Sequence, residues 1–422
     1  MKIKKTILSN KLRIVSIPMD TPTVTVLVLV EAGSNYETKD INGLSHFLEH
    51  MCFKGTKKRP TALHITKELD GIGAQYNAFT SNEYTGYYAK VEKKHFDTIL
   101  DVVSDIYLNP VFDEHEVEKE KGVIIDEINM YEDMPSRHVH DLFAEVLYGN
   151  QPAGWNVAGT KEIVRNMSRK DFVLYRNKHY VASSTIVVIA GNINQTKAIE
   201  KVKKKFAEIP TSNKGSKLKV KELQKKPEII LKHKKTDQTH LVLGFRAFDA
   251  FNKKRLVLEV IAAILGSGMS SRLFQKLRDE MGVGYYVRAN EDLYTDHGSI
   301  AVSTGVTNSR AREVVKAILK EFERLKYEVV SNDELNKVKE HLIGTMYLQL
   351  EPTDAIANFY GGQEVVTGKI KTAEEIAKGI KKVTPQQVQE LSKELFNEKG
   401  LNIAMIGPFK NKKVFDSVFK LK

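Results

Sequence analysis

The sequence lacks most of the features that would place it in a simple class. It has one cysteine, Cys52, in 422 residues, so no internal disulfide can form and a reducing compartment suits it. It has no apolar run able to span a bilayer: the strongest, 24–30 and 260–265, fall far short of the roughly 20 residues required. The start, Met1-Lys-Ile-Lys-Lys-Thr6, is basic like a secretory leader. Ile7-Leu-Ser-Asn-Lys-Leu12 then supplies no apolar core, so secretion is not indicated. Also missing is any basic strand interleaved with aromatics of the kind that stacks on nucleic-acid bases. The 65 lysines and arginines exceed the 53 acids, giving a net charge of +12, yet they are scattered. The densest group, Lys201-Val-Lys-Lys-Lys205, ends an apparent helix, where cations complement the dipole. Solvated lysine-rich faces account for the charge better than a nucleic-acid partner does.

What is present is ordinary globular material. With 41% hydrophobic and 28% charged residues the chain is neither collagen-like nor low-complexity, and its length suggests two or three domains. Residues 211–227, TSNKGSKLKVKELQKKP, are polar and lysine-rich, and read as a linker. The halves on either side share an outline. Each opens on a strand (23–31; 239–245), the first so rich in valine that it reads as buried. A helical pattern (42–54; 253–279) and two β-like alternations (75–81 and 84–91; 284–290 and 298–305) follow. Further helices (93–108 and 113–131; 309–325 and 332–350) lead to a short strand ending in glycine (185–191; 401–407). Segregated runs of this kind predict an α+β fold of two homologous domains, 1–210 and 228–422, each a mainly antiparallel sheet backed by helices. A repeat of about 200 residues is a duplicated domain rather than a solenoid unit.

The sharpest chemical signal is His46-Phe-Leu-Glu49-His50. On a helix, residues four apart are separated by about 40° around the axis, so both imidazoles leave one face, with Glu49 beside them. Two imidazoles suit zinc, and an unligated carboxylate nearby suits a general base that takes a proton from water. The order is H-x-x-E-H, the inverse of the zincin H-E-x-x-H. With 12 histidines and at most 53 acids, chance supplies about 0.04 such patterns per chain. The metal reading is therefore favoured over a fortuitous pair of exposed histidines.

A zinc hydrolase needs a third protein ligand and one open position. In the helical pattern 113–131, Glu120 and Glu127 are two turns apart and share a face to within about 20°. Glu127 lies among Val123, Ile124, Ile125 and Ile128, where a carboxylate wants a partner such as a metal. Glu120 is then placed to orient a histidine ligand through its second ring nitrogen. Spacing alone does not select these two, because Glu116, Glu118 and Asp126 are also available on an ordinary amphipathic helix.

The stretch Gly43-Leu-Ser-His46-Phe-Leu-Glu49-His50-Met-Cys-Phe-Lys-Gly55-Thr56 closely resembles the pitrilysin/insulinase/mitochondrial processing peptidase family of zinc endopeptidases, the inverzincins. In that family the third ligand is a glutamate 77 residues past the second histidine, here Glu127, and an acid seven residues earlier is here Glu120. Gly73-Ala-Gln-Tyr-Asn77-Ala78-Phe79-Thr80-Ser81 resembles the family's edge strand beside the zinc. The resemblance implies that Asn77, Ala78, Phe79 and Thr80 pair with substrate as an added strand; by composition the segment is equally an ordinary hairpin strand. In the second half, Leu277-Arg278 through Gly284-Tyr285-Tyr286 resembles the family's arginine and tyrosine seven apart. The resemblance implies that Arg278 holds a substrate carbonyl and Tyr285 stabilises the tetrahedral oxyanion. Unaided, they read as a helix-terminal cation and a core aromatic.

Carried through, the resemblance implies a zinc metallo-endopeptidase with one Zn2+ per chain on His46, His50 and Glu127, and with Glu49 as general base. Family members of four-domain length enclose their site between first and last domains. Two domains make half of such a clam-shell, so the resemblance implies a homodimer in which Arg278 and Tyr285 of one subunit complete the other's site. Such a chamber admits short or unfolded peptides. One alternative is a subunit of an unequal pair with a related partner. A non-catalytic scaffold is less favoured, because His46, Glu49, His50, Glu120 and Glu127 all stand. A bacterial cytoplasm is expected first and an organelle matrix second, with no nucleic-acid or membrane partner.

Overall fold

A computed structural model describes residues 2–421. The chain forms two compact units, one of Met1–Asn129, Trp155–Leu218 and Leu348–Lys371, the other of Met130–Gly154, Lys219–Tyr347 and Thr372–Lys422.

The first unit is built on six strands, β1 (Lys4–Ile7), β2 (Arg13–Pro18), β3 (Thr23–Val30), β4 (Gln75–Thr80), β5 (Thr85–Glu92) and β6 (Thr185–Gly191), in the order β1-β2-β6-β3-β5-β4. All neighbours are antiparallel except β2 and β6. The β3 sequence TVTVLVLV is almost continuously apolar because the strand is buried on both faces. Its even positions, Val24 to Val30, join the main core with α1 (Leu44–Cys52) and α3 (Phe96–Leu108), while α2 (Ala62–Asp70) adds Ile65 and Leu69. Its odd positions Leu27 and Leu29 meet Ile356, Ala357 and Tyr360 of a helix at Thr353–Thr367. Between these sits Thr25, whose hydroxyl is 2.8 Å from that of Thr353. The long helix α4 (Glu114–Asp133) sends Val117, Ile124 and Ile128 into the main core.

The second unit carries β7 (Glu228–His233), β8 (Gln238–Ala247), β9 (Gly284–Leu293), β10 (Gly298–Thr307) and β11 (Leu401–Gly407), in the order β7-β11-β8-β10-β9. Only the β7–β11 pair is parallel. Reading each unit from its β2 or β7, the five strands lie in one order with the same directions, so the duplication is a repeat of topology. One sheet face is covered by α5 (Pro135–Tyr148), whose Val139, Phe143 and Leu147 pack on Val242, Ala404 and Ile406. On the other face Phe245 meets Phe322 of the helix Ala311–Tyr327 and Phe396, the residue that follows the helix Pro385–Leu395. Each half of the chain thus lends one helix to the other's unit: α5 goes one way and Thr353–Thr367 the other.

The architecture is α+β with mainly antiparallel sheets, as the segregated runs predict. One expected element is broken. Instead of a single helix over 253–279, there is a helix at Arg255–Gly266, a turn at Arg272–Phe274 and a π-helical segment at Gln275–Glu280. The Gly266-Ser-Gly-Met-Ser-Ser run interrupts it, with Gly268 at a left-handed φ of 79°. Among the described residues no helix is long and apolar enough to cross a membrane.

Candidate metal centre

The motif helix α1 is set by its first turn. Gly43, just before it, has a φ of 98°, and a Cβ there would stand 2.5 Å from the Ala158 carbonyl oxygen, so glycine is required. The buried carboxylate of Glu37 then accepts from the backbone N–H groups of Gly43 (2.8 Å) and Ser45 (2.7 Å) and from the Asn42 amide (3.0 Å). The two backbone groups are among the donors a helix start leaves unsatisfied. Leu44, Phe47, Leu48 and Met51 bury one side of α1. That leaves His46, Glu49 and His50 on the side facing β4 and α4.

Three ligand atoms converge there. His46 Nε2 and His50 Nε2 each lie 3.6 Å from Glu127 Oε2, and all three atoms fall within 4.8 Å of one another. Tetrahedral zinc with bonds of about 2.0–2.1 Å sets its ligand atoms about 3.4 Å apart. The donor set fits the ion in both spacing and chemistry. Burial, aided by His50 and opposed by Glu127, pushes the His46 imidazole down to about 4, so it is neutral, as a ligand must be.

Around these three side chains lies a second set of contacts. Glu120 Oε1 is 3.0 Å from His50 Nδ1, and because a carboxylate only accepts, that nitrogen donates and the ring is held with Nε2 towards Glu127. The other oxygen of Glu120 is 2.5 Å from Lys54 Nζ, and Glu120 itself is only 3% exposed. Burial alone would raise this carboxyl, but the hydrogen bonds from His50 and Lys54 outweigh it and hold Glu120 below the usual range. Glu49 is pushed the other way, upward, by burial, against a hydrogen bond from Thr80 Oγ1 at 2.6 Å.

The strand β4 is an edge, paired only with β5. Its Asn77 is exposed, and the Asn77 side-chain oxygen accepts from the Ala78 N–H at 2.9 Å. Phe79 turns to the opposite sheet face, where its ring packs beside Leu29 and edge-on to Tyr84. In the second unit, Arg278 lies in the π-helical segment and donates to the Gly284 carbonyl at 3.2 Å. Tyr285 is 60% exposed. Tyr286, by contrast, has its hydroxyl 3.2 Å from His240 Nδ1, and burial pushes it up to about 12. Lys54 and Glu37 escaped the sequence reading. The only signal for Lys54 is a cation one helical turn beyond His50; for Glu37 there is none.

The chain thus presents a duplicated sheet-and-helix unit, the first of which carries an H-x-x-E-H helix. A model of the insulinase family (peptidase family M16) matches residues 13–161, and one of the peptidase M16 inactive domain matches 166–342. The chain is 36% identical over 412 residues to YmxG of Bacillus subtilis strain 168, an uncharacterized zinc protease, covering 97% of this chain and 99% of the relative. It is 32% identical over 420 residues to SCO5738 of Streptomyces coelicolor, also an uncharacterized zinc protease, covering 97% and 90%. The structure of a protease from Helicobacter pylori has the same fold, with a TM-score of 0.89 at 22% identity over 96% of this chain and 99% of that one. A peptidase M16 inactive domain from Pseudomonas fluorescens gives 0.89 at 16%, over 97% and 99%. The chain belongs to the insulinase family, peptidase family M16.

Proposed function

We propose that this chain is a zinc-dependent endopeptidase acting on short or unfolded peptides. The observation that carries the reading is the convergence of His46, His50 and Glu127 beside an unligated Glu49. His46, His50 and Glu127 would hold a zinc ion, which when bound would supply a Lewis acid for a peptide carbonyl and lower the pKa of water. Glu49, one position before His50, takes a proton from that water and returns it to the departing amine. Its raised affinity for a proton, the result of burial, suits a group that must accept one near neutral pH. Asn77, Ala78, Phe79 and Thr80 offer the substrate backbone a free strand edge.

Arg278 and Tyr285 stabilise developing negative charge, each from the partner subunit of a homodimer with two sites. The exposure of Tyr285 and the anchored guanidinium of Arg278 support this assignment. A bacterial cytoplasm is the proposed location.

Hydrolysis of a mixed quenched-fluorescent peptide set by the purified, zinc-loaded chain tests the reading, with Glu49→Gln alongside. Turnover by the wild type alone is expected. Equal turnover by both proteins contradicts the mechanism. Inactivity of both with zinc bound moves the unequal-pair reading ahead, and a related partner chain would then be sought.

A further inference from the structure

Along β4 side chains alternate between the two faces of the sheet. Tyr76 and Ala78 pack on the core that α1 completes, and Phe79 packs on the opposite one. Thr80 falls on the same side as Tyr76 and Ala78. It brings a hydroxyl to within 2.6 Å of Glu49 Oε2. Among the described residues Glu49 has no other hydrogen bond or ion pair.

A half-buried carboxylate with one donor has its orientation set by that donor. The bond engages Oε2 and leaves Oε1 without a hydrogen-bond partner among the described residues. We propose that Thr80 is a positioning residue: its hydroxyl aims Glu49, while its backbone belongs to the free edge of the sheet. A peptide adding to β4 continues the ladder and steadies the strand from which Glu49 is aimed, so substrate occupancy and orientation of the base are coupled through one side chain. The inference rests on Glu49 being the base of a peptidase.

Thr80→Val preserves the size and β-branching of the side chain and the backbone, and removes only the donor. Thr80→Ser keeps the donor. For the zinc-loaded full chain, kcat of Thr80→Val is expected to fall about 10- to 100-fold, with KM within about threefold of wild type. Thr80→Ser is expected to stay within about threefold in both constants. An unchanged kcat in Thr80→Val overturns the proposal. So does a loss confined to KM, the signature of a substrate contact, or a failure of serine to restore kcat.

Crystal structures of the two variants read the same point without turnover, so failure of the peptidase reading is separable from failure of this one. The Glu49 carboxylate is expected to keep its place in Thr80→Ser and to turn away from β4 in Thr80→Val. Glu49 unmoved in the valine variant overturns the positioning role even if the wild type never cleaves a peptide.

Discussion

Glu120→Gln measures how far a zinc ion held by the proposed set of His46, His50 and Glu127 depends on a residue outside that set. Glu120 receives two donors on two oxygens, His50 Nδ1 at 3.0 Å and Lys54 Nζ at 2.5 Å. A glutamine of the same shape has one acceptor oxygen and one NH2, so it can face only one of these donors correctly. The bond that survives changes from a charged to a neutral acceptor, a loss of about 1–1.5 kcal/mol. Lys54, 24% exposed, recovers hydration on its own. A misplaced NH2 facing His50 Nδ1 would leave that proton unaccepted. Since about 1.4 kcal/mol is tenfold in an equilibrium constant, zinc affinity should weaken about 10- to 100-fold. Competition with a chromophoric zinc chelator on metal-free protein reads this directly. An affinity within about twofold of wild type would refute the claim that Glu120 orients His50.

Two further outcomes follow from packing and charge. Burial pushes the Glu37 carboxyl up from 4.5 to about 7 despite its three donors. The folded chain therefore holds that proton more tightly than the unfolded one. The stability it confers is full below about 4.5 and lost as pH rises through about 7. Glu37→Gln, which cannot ionise, should show a flatter stability–pH curve than wild type across that window, measured by urea unfolding; parallel curves would contradict the assignment. Ile356, 3% exposed, packs on the second face of the first sheet. Ile356→Ala should cost about 2–5 kcal/mol and speed hydrogen exchange in β3 and β6. Unchanged exchange there would mean the borrowed helix does not hold that sheet.

The sequence shows some of this plainly and hides the rest for physical reasons. β3 is legible because a strand buried on both faces has no polar alternation to confuse it. The imidazoles of α1 are legible because a helix fixes the direction of residues four apart. Glu127 was selected by family spacing, since its own helix offers several acids at similar positions. The exchange of α5 and Thr353–Thr367 leaves no mark: an amphipathic stripe says that a helix covers a sheet but not which sheet. Glu37 acts across a loop closed by Gly43, and Thr80 acts across the gap between an edge strand and a helix. Contacts of that sort depend on how elements are brought together, which local periodicity does not encode. The break after Gly266 has a local signal, its run of glycines and serines, which a single helix over 253–279 does not take into account.

The central claim is that one chain holds one zinc ion through His46, His50 and Glu127. X-ray absorption at the zinc edge, on wild-type protein carrying a measured equivalent of metal, tests it most directly. The account predicts one zinc per chain, two imidazole nitrogens and carboxylate oxygen at about 2.0–2.2 Å, and loss of the imidazole signal on replacing His46 and His50 by alanine. A metal-free chain that refuses zinc, or a shell without imidazole, would contradict it.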